Sequence, residues 1–171
     1  MRKLLILILF LPACVPRKTL KEELDVNKLQ ENLKKLYETL ASSEVKGSYL
    51  YQSADLTLSG HFRMTKKGNE WIVILQNPLS PSIIKINEDT LPIKSMLYQN
   101  WSEAGLKYEI LGTSLKLNYK DSLYVQVETI NSLPYRISYN GATAVLFYTG
   151  GKLKEIKIQT EEEKLILQLN Y

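Results

Sequence analysis

The chain has 171 residues, with 22 Lys and Arg against 18 Asp and Glu, a formal net charge of +4 and a single Cys. This length suits one domain with a sizeable core, and a modest basic excess interleaved with acidic residues does not predict a nucleic-acid-binding face. A lone Cys excludes an internal disulfide.

The first residues have the pattern of a secretory leader. Two basic residues precede an apolar run over residues 4–11, and Ala13 precedes Cys14. A basic start, an apolar stretch and a small residue before the cut define a signal peptide, predicted here over residues 1–13. The run is too short to span a bilayer, which needs about 20 apolar residues in a helix.

The segment Leu11-Pro12-Ala13-Cys14 resembles the lipobox of bacterial lipoproteins. The resemblance implies that Cys14 is lipidated and that a tether over residues 14–20 joins this membrane anchor to the domain. Val15 stands where an Asp retains many lipoproteins in the inner membrane, so the resemblance favours the outer membrane. The alternative is an ordinary secretory signal that leaves Cys14 as a free thiol.

An amphipathic helix is predicted over about residues 20–42. Thr19 and Glu22 are spaced as a capping box at its start. Its apolar positions are Leu20, Leu24, Leu29, Leu33, Leu36, Tyr37 and Leu40. This apolar stripe needs a surface to cover.

From Val45 onward the apolar period changes to two, which is typical of strands with one dry face. Turn sequences such as Asn140-Gly141 and Gly150-Gly151 separate the runs and favour hairpins. The pattern predicts about ten or eleven strands. The expected fold class is therefore mainly β (α+β), an open antiparallel β-barrel with an N-terminal helix packed over it, in a single domain over residues 21–171.

The central strands of this barrel are expected to be buried on both faces. Apolar residues occupy every position over 71–75, and Ile83 and Ile84 are adjacent. Two interpretations follow: a solidly packed barrel interior, or a curved sheet that encloses an apolar cavity able to hold a ligand.

Residues that would support catalysis or cofactor binding are sparse. His61 is the single His and falls on the polar face of a predicted strand, with no second His or Cys to complete a metal site. No nucleophile elbow, dinucleotide fingerprint or phosphate loop is present, and the run Glu161-Glu162-Glu163 is interpreted as a solvated turn. We expect no catalytic residue, no metal and no cofactor, and thus no enzyme.

The segment from Lys46 through Asn87 resembles the outer-membrane lipoprotein receptor LolB family. The resemblance is carried by Gly60-His61-Phe62-Arg63-Met64 and above all by residues 71–80 with the following strand. Residues 151–171 are similar in their pattern of two closing strands. The resemblance implies an unclosed barrel with a hydrophobic cavity for acyl chains and no covalent chemistry. It further implies acylated lipoproteins and a soluble periplasmic lipoprotein carrier as partners, and we expect a monomer that binds no nucleic acid.

The resemblance assigns membrane delivery to the loop of Asn77, Pro78 and Leu79, with Leu79 projecting toward the lipid. Pro78 stiffens this loop and removes a backbone donor. The alternative is that Leu79 folds back on the sheet edge as an ordinary turn contact.

Eight residues are candidates for lining the cavity, and a register shift of one residue would move them all to the other face. They are Leu58, Phe62, Met64, Trp71, Val73, Leu75, Ile84 and Ile86. The sequence departs from the family in one segment. Residues 98–104 form a shorter segment than the helical insertion that family members usually have there, and that insertion would cover the cavity. Trp101 is therefore either a remnant of this cover or an aromatic residue at the edge of the sheet.

The sequence thus predicts an outer-membrane lipoprotein, facing the periplasm, that accepts acylated lipoproteins from a carrier and inserts them into the membrane. Differential burial of acyl chains would drive the transfer, without nucleotide. The alternatives are a lipid-binding lipoprotein of the same fold and a structural lipoprotein with a solidly packed barrel, both without receptor activity.

Overall fold

The computed structural model describes residues 23–42, 44–78, 80–90, 101, 105–119 and 122–170. The predicted signal peptide, Cys14, the tether and Leu79 lie outside the described residues. Within them the chain forms one α-helix and eleven strands, as the sequence predicts. The elements are α1 Val26–Ala41, β1 Val45–Gln52, β2 Thr57–Lys67, β3 Glu70–Gln76, β4 Pro81–Asn87, β5 Leu106–Leu111, β6 Ser114–Tyr119, β7 Ser122–Ile130, β8 Leu133–Tyr139, β9 Ala142–Thr149, β10 Lys152–Gln159 and β11 Lys164–Asn170, with a short 3-10 helix Glu88–Thr90 after β4.

Helix α1 begins later than the predicted start near residue 20. Asp25 is its N-cap, and the carboxylate accepts a hydrogen bond from the Lys28 backbone N–H at 3.0 Å. This bond satisfies one of the amide groups that a helix start leaves unpaired. Leu24 and Leu29 flank the cap and are buried in the same cluster, in the manner of a hydrophobic staple. The predicted capping box at Thr19 lies outside the described residues.

The eleven strands form a single antiparallel sheet in the order β4-β3-β2-β1-β11-β10-β9-β8-β7-β6-β5. The first and last strands meet in its middle, where Ser48 faces Gln168. The two outer strands, β4 and β5, do not pair with each other in the described part of the chain. The sheet is therefore open, and it is not closed into a barrel.

The sheet has a helix end and a loop end. At the helix end, the Asp25 backbone N–H donates to Ser132 Oγ in the β7–β8 turn at 3.2 Å, and α1 crosses the inner face of the sheet. The opposite end carries the connections over residues 53–56, 77–80 and 160–163. We call this second edge the loop end.

Two clusters of buried residues fill the space between α1 and the inner face. In the first, α1 contributes Leu29 and Leu33; the sheet and its margin contribute Trp101, Leu106, Leu115, Leu117, Val125 and Val127. In the second, Leu36 and Leu40 of α1 pack against Val45, Tyr49, Phe62, Leu146, Leu153 and Leu169. Trp101 is thus a core residue, and its ring meets Tyr108 edge-on with the centroids 5.6 Å apart.

The expectation that the central strands are buried on both faces is wrong for β4. This strand is one of the two edge strands of the sheet in the described part of the chain, and Ile83 and Ile84 are 65% and 45% exposed. An edge strand has a neighbour on one side only, so its side chains lack a flanking row to cover them. On β3, Ile72 and Ile74 are half-buried.

Candidate functional site

The strand register places all eight cavity candidates on the inner face. Residues directly opposite each other in neighbouring strands share a face, and Phe62 faces Leu75 while Met64 faces Val73. The same pairing joins Trp71 to Ile86 and Val73 to Ile84 across β3 and β4, and Leu58 to Tyr51 of β1. Phe62, Met64 and Leu75 belong to the core cluster beneath α1, which identifies this face as the inner one.

A cavity of about 420 Å³ lies on the inner face at the loop end. Its apolar wall comes from β1, β2, β3, β4, β10 and β11. The lining residues are Tyr49, Tyr51, Leu58, Leu75, Asn77, Ser82, Ile84, Ile158, Thr160, Glu163, Lys164 and Leu165. Three of the eight candidates, Leu58, Leu75 and Ile84, line this cavity, whereas the other five share the face and lie outside it.

The sequence interpretation missed the contribution of the first and last strands to this cavity. Tyr51 faces Leu165 across β1 and β11, and Leu165 faces Ile158 across β10. The alternation of apolar residues in β11 is visible in the sequence, but no local sequence feature indicates that β11 pairs with β1. Contact of any of these side chains with an acyl chain stays a prediction.

Polar groups surround the mouth of the cavity. The Tyr51 hydroxyl donates a hydrogen bond to the Glu163 carboxylate, and this bond raises the pKa of Tyr51 above its ordinary value of 10.0. Asn77 Oδ1 accepts a hydrogen bond from the Ser80 backbone N–H at 2.7 Å, which ties the two ends of the predicted delivery loop together. Pro78 within this loop is exposed, and Leu79 itself lies outside the described residues. The mouth therefore has an apolar floor and a hydrogen-bonding rim.

A second cavity, of about 380 Å³, lies between α1 and the helix end of the sheet. Asn32, Lys35, Leu36 and Thr39 line it from the helix. Leu133, Tyr148, Gly151, Lys152 and Leu153 line it from β8, β9 and β10 and their connections. The space between helix and sheet is thus not solidly packed at this point.

A group of polar side chains joins α1 to β2 and to the 3-10 helix. The Tyr37 hydroxyl donates to the Glu88 carboxylate, which is 1% exposed and also pairs with Lys66 Nζ at 3.2 Å. Burial and the neighbouring Glu88 raise the pKa of Tyr37, and the bond to Glu88 raises the pKa of Lys66. The Tyr37 ring also meets Trp71 edge-on at 5.9 Å. These contacts hold the C-terminal half of α1 over the inner face.

Three further observations concern His61, metal binding and membrane-spanning helices. His61 is exposed on the outer face of β2, opposite Ser48 and Gln76. Among the described residues, no group of three or more His, Cys, Asp or Glu side chains is arranged to hold a metal ion. None of the helices described is both long and apolar enough to cross a membrane.

No protein-family model and no curated protein matches the chain. Among solved structures, the chain is similar to a DUF1329 family protein from Desulfovibrio piger, with a TM-score of 0.42 and 8% sequence identity over 85% of this chain and 91% of that one. The fold class is defined by the strand order and register of the chain itself. It is an open antiparallel sheet with one helix across its inner face in the described residues.

Proposed function

We propose that the protein is an outer-membrane lipoprotein that receives acylated lipoproteins from a periplasmic carrier and inserts them into the membrane. The observation that carries the proposal is the cavity at the loop end, which has an apolar floor and opens beside the loop of Asn77 and Pro78. Its volume of about 420 Å³ falls within the range of about 300–1,000 Å³ found for ligand pockets.

Burial of an acyl chain supplies the driving force. Each methylene that leaves water contributes about 0.8 kcal/mol, and the floor offers Leu58, Leu75 and Ile84 to receive such a chain. Because the mouth and the delivery loop share one end of the sheet, a bound chain would leave toward the surface that the loop contacts. No nucleotide or covalent step is needed.

The second candidate is a lipoprotein of the same fold that binds a smaller amphiphile and has no receptor activity. The observation that favours it is the size of the cavity, which lies near the lower end of the range for ligand pockets. The hydrogen-bonding rim of Tyr51, Asn77 and Glu163 would suit the head of a single-chain lipid.

The test is transfer of a triacylated lipoprotein from its loaded carrier to the soluble domain that begins at Val15. We expect the Leu79→Glu variant to accept cargo and to pass it to liposomes at least about tenfold more slowly, since burying a Leu in lipid is worth about 1.5 to 3 kcal/mol. The matched control is Leu111→Glu, an equally apolar residue that is 46% exposed at the helix end.

The outcomes separate the candidates. Acceptance by the wild-type domain supports the receptor, and slow release by the Leu79 variant alone assigns delivery to that loop. If the domain does not accept the lipoprotein but still binds a fluorescent fatty acid, the result supports the second candidate, which binds a smaller amphiphile. Binding of neither would contradict both and leave a structural lipoprotein.

A further inference from the structure

The outer face of β2, β3 and β4 carries an apolar patch that the inner-face site does not use. Ile83 faces Ile74 across β3 and β4, and Ile74 faces Arg63 of β2. In the adjoining row Lys85 faces Ile72. Ile83 is 65% exposed, the largest value among the exposed large apolar side chains of the described residues. We call these five residues, Arg63, Ile72, Ile74, Ile83 and Lys85, the Ile83 face.

The charge around the Ile83 face is mainly positive. The outer-face positions of β1 to β4 carry the basic residues Lys46, Arg63, Lys67 and Lys85 and the acidic residue Glu70. Glu44, before β1, partly offsets them by pairing with Arg63 at 3.0 Å and with Lys46 at 2.7 Å. Lys85 is exposed. An apolar centre with basic residues around it is complementary to an anionic lipid surface.

Acidic residues lie on the side of the cavity away from β4. Glu161, Glu162 and Glu163 lie together in the connection between β10 and β11, and all three are exposed. An anionic bilayer would repel this connection and attract the β2–β4 side. The charge distribution therefore favours contact of the lipid with the β2–β4 side over contact with the connection between β10 and β11.

Strand β4 links this face to the cavity. Ser82 and Ile84 line the cavity on the inner face, and Ile83 between them points to the outer face. A strand that is exposed and apolar at a sheet edge is unfavourable in water. Lipid contact would cover Ile83 while leaving the cavity mouth open at the membrane surface.

We propose that the Ile83 face is a membrane-contact surface that docks β4 on an anionic phospholipid bilayer. The proposal rests on the proposed function in that docking would set the cavity mouth against the lipid into which cargo is released. It concerns the strand and its basic neighbours, and lipid contact is measured separately from cargo transfer.

The test uses the full chain reconstituted in vesicles of phosphatidylethanolamine with a minor share of phosphatidylglycerol. An environment-sensitive label is attached at Ile83→Cys and, as a matched control, at Phe147→Cys, an apolar residue 41% exposed on the outer face of β9. The unsubstituted chain, whose sole Cys is Cys14, gives the background labelling. We expect nitroxide lipids to quench the fluorescence of the label at position 83. The fluorescence of the label at position 147 should stay as it is in buffer.

A second measurement tests the charge. We expect Lys85→Gln to lower the docking equilibrium, read from the label at position 83, by about fivefold, the factor for about 1 kcal/mol per basic residue near an anionic surface. Lys116→Gln, on the outer face of β6, should have no effect. Equal quenching at positions 83 and 147, no quenching at position 83, or no response to Lys85→Gln would each overturn the proposal.

Cargo transfer is measured on the same vesicles. Transfer without lipid contact at position 83 would overturn the Ile83 face and leave the receptor standing. Lipid contact without transfer would support the Ile83 face and contradict the receptor.

Discussion

At the residue scale, Glu88 is the clearest example of a charge kept away from water by specific partners. The residue is 1% exposed. Its carboxylate accepts a hydrogen bond from the Tyr37 hydroxyl and forms an ion pair with Lys66. A buried charge is tolerated only when hydrogen bonds and an opposite charge replace its water. The three side chains come from β2, α1 and the 3-10 helix, so the group fixes the position of the helix on the sheet.

We expect Glu88→Gln to lower the free energy of unfolding by about 1–3 kcal/mol, because the substitution removes the charge that Lys66 and Tyr37 meet. The raised pKa of Lys66 means that this stabilisation is present below the ordinary pKa of 10.5 and is lost as the pH rises through the folded-state pKa. The raised pKa of Tyr37 acts in the same direction.

Urea unfolding followed by tryptophan fluorescence measures the effect at neutral and alkaline pH. The exposed Glu70→Gln serves as the control on β3. A difference between wild type and Glu88→Gln that persists unchanged above pH 10.5 would contradict the assignment.

At the element scale, two glycines allow neighbouring atoms to approach β1 and β2 closely. Gly47 faces Phe62 and Gly60 faces Tyr49 across the pair, so each aromatic ring lies opposite a position without a side chain. A Cβ at Gly47 would lie 1.8 Å from the Gln168 carbonyl oxygen. A cross-strand aromatic residue packed over a glycine helps to stabilise a sheet where a side chain is missing.

We therefore expect Gly47→Ala to destabilise the fold by about 1–3 kcal/mol or more, the usual cost of overpacking, because the obstructing atom belongs to the backbone of β11. Ser48→Ala, one residue along on the outer face, is the control. Urea midpoints of the two variants give the comparison. A Gly47→Ala midpoint equal to that of Ser48→Ala would show that β11 accommodates a Cβ at this position.

At the scale of the whole molecule, a ligand in the loop-end cavity would stabilise the folded chain by mass action. The stabilisation is about 2.7 kcal/mol at a free ligand concentration of about 100 Kd. The cavity spans strands from both halves of the chain, since Leu58 of β2 and Leu165 of β11 both line it. Occupancy should therefore raise the unfolding temperature of the sheet as one unit.

We expect a fluorescent fatty acid to raise the Tm of the wild type, and to raise the Tm of a Leu58→Trp variant by less, because the indole occupies part of the cavity. The control is Leu50→Trp, on the outer face of β1 opposite Ile166, which should keep the full shift. A Tm shift as large in Leu58→Trp as in the wild type would place the ligand elsewhere, for example in the cavity beneath α1.

The sequence by itself determined the elements of this fold. The change of apolar period at Val45 separates the helical stripe from the strands, and Asn140 and Gly141 adopt the positive φ values of 48° and 79° that their turn chemistry predicts. The common face of Phe62 and Leu75 also follows from alternation alone. These features depend on neighbours a few residues apart, and a sequence displays such neighbours directly.

The tertiary structure decided which elements meet. Only the fold pairs β1 with β11, which brings Tyr51, Leu165 and Glu163 to the mouth of the cavity. Only the fold makes β4 an edge, so that Ile83 is exposed where its apolar surroundings in sequence predict burial. Strands far apart in the chain pair only when the whole sheet assembles, and the alternation of a strand specifies its two faces without specifying its neighbours.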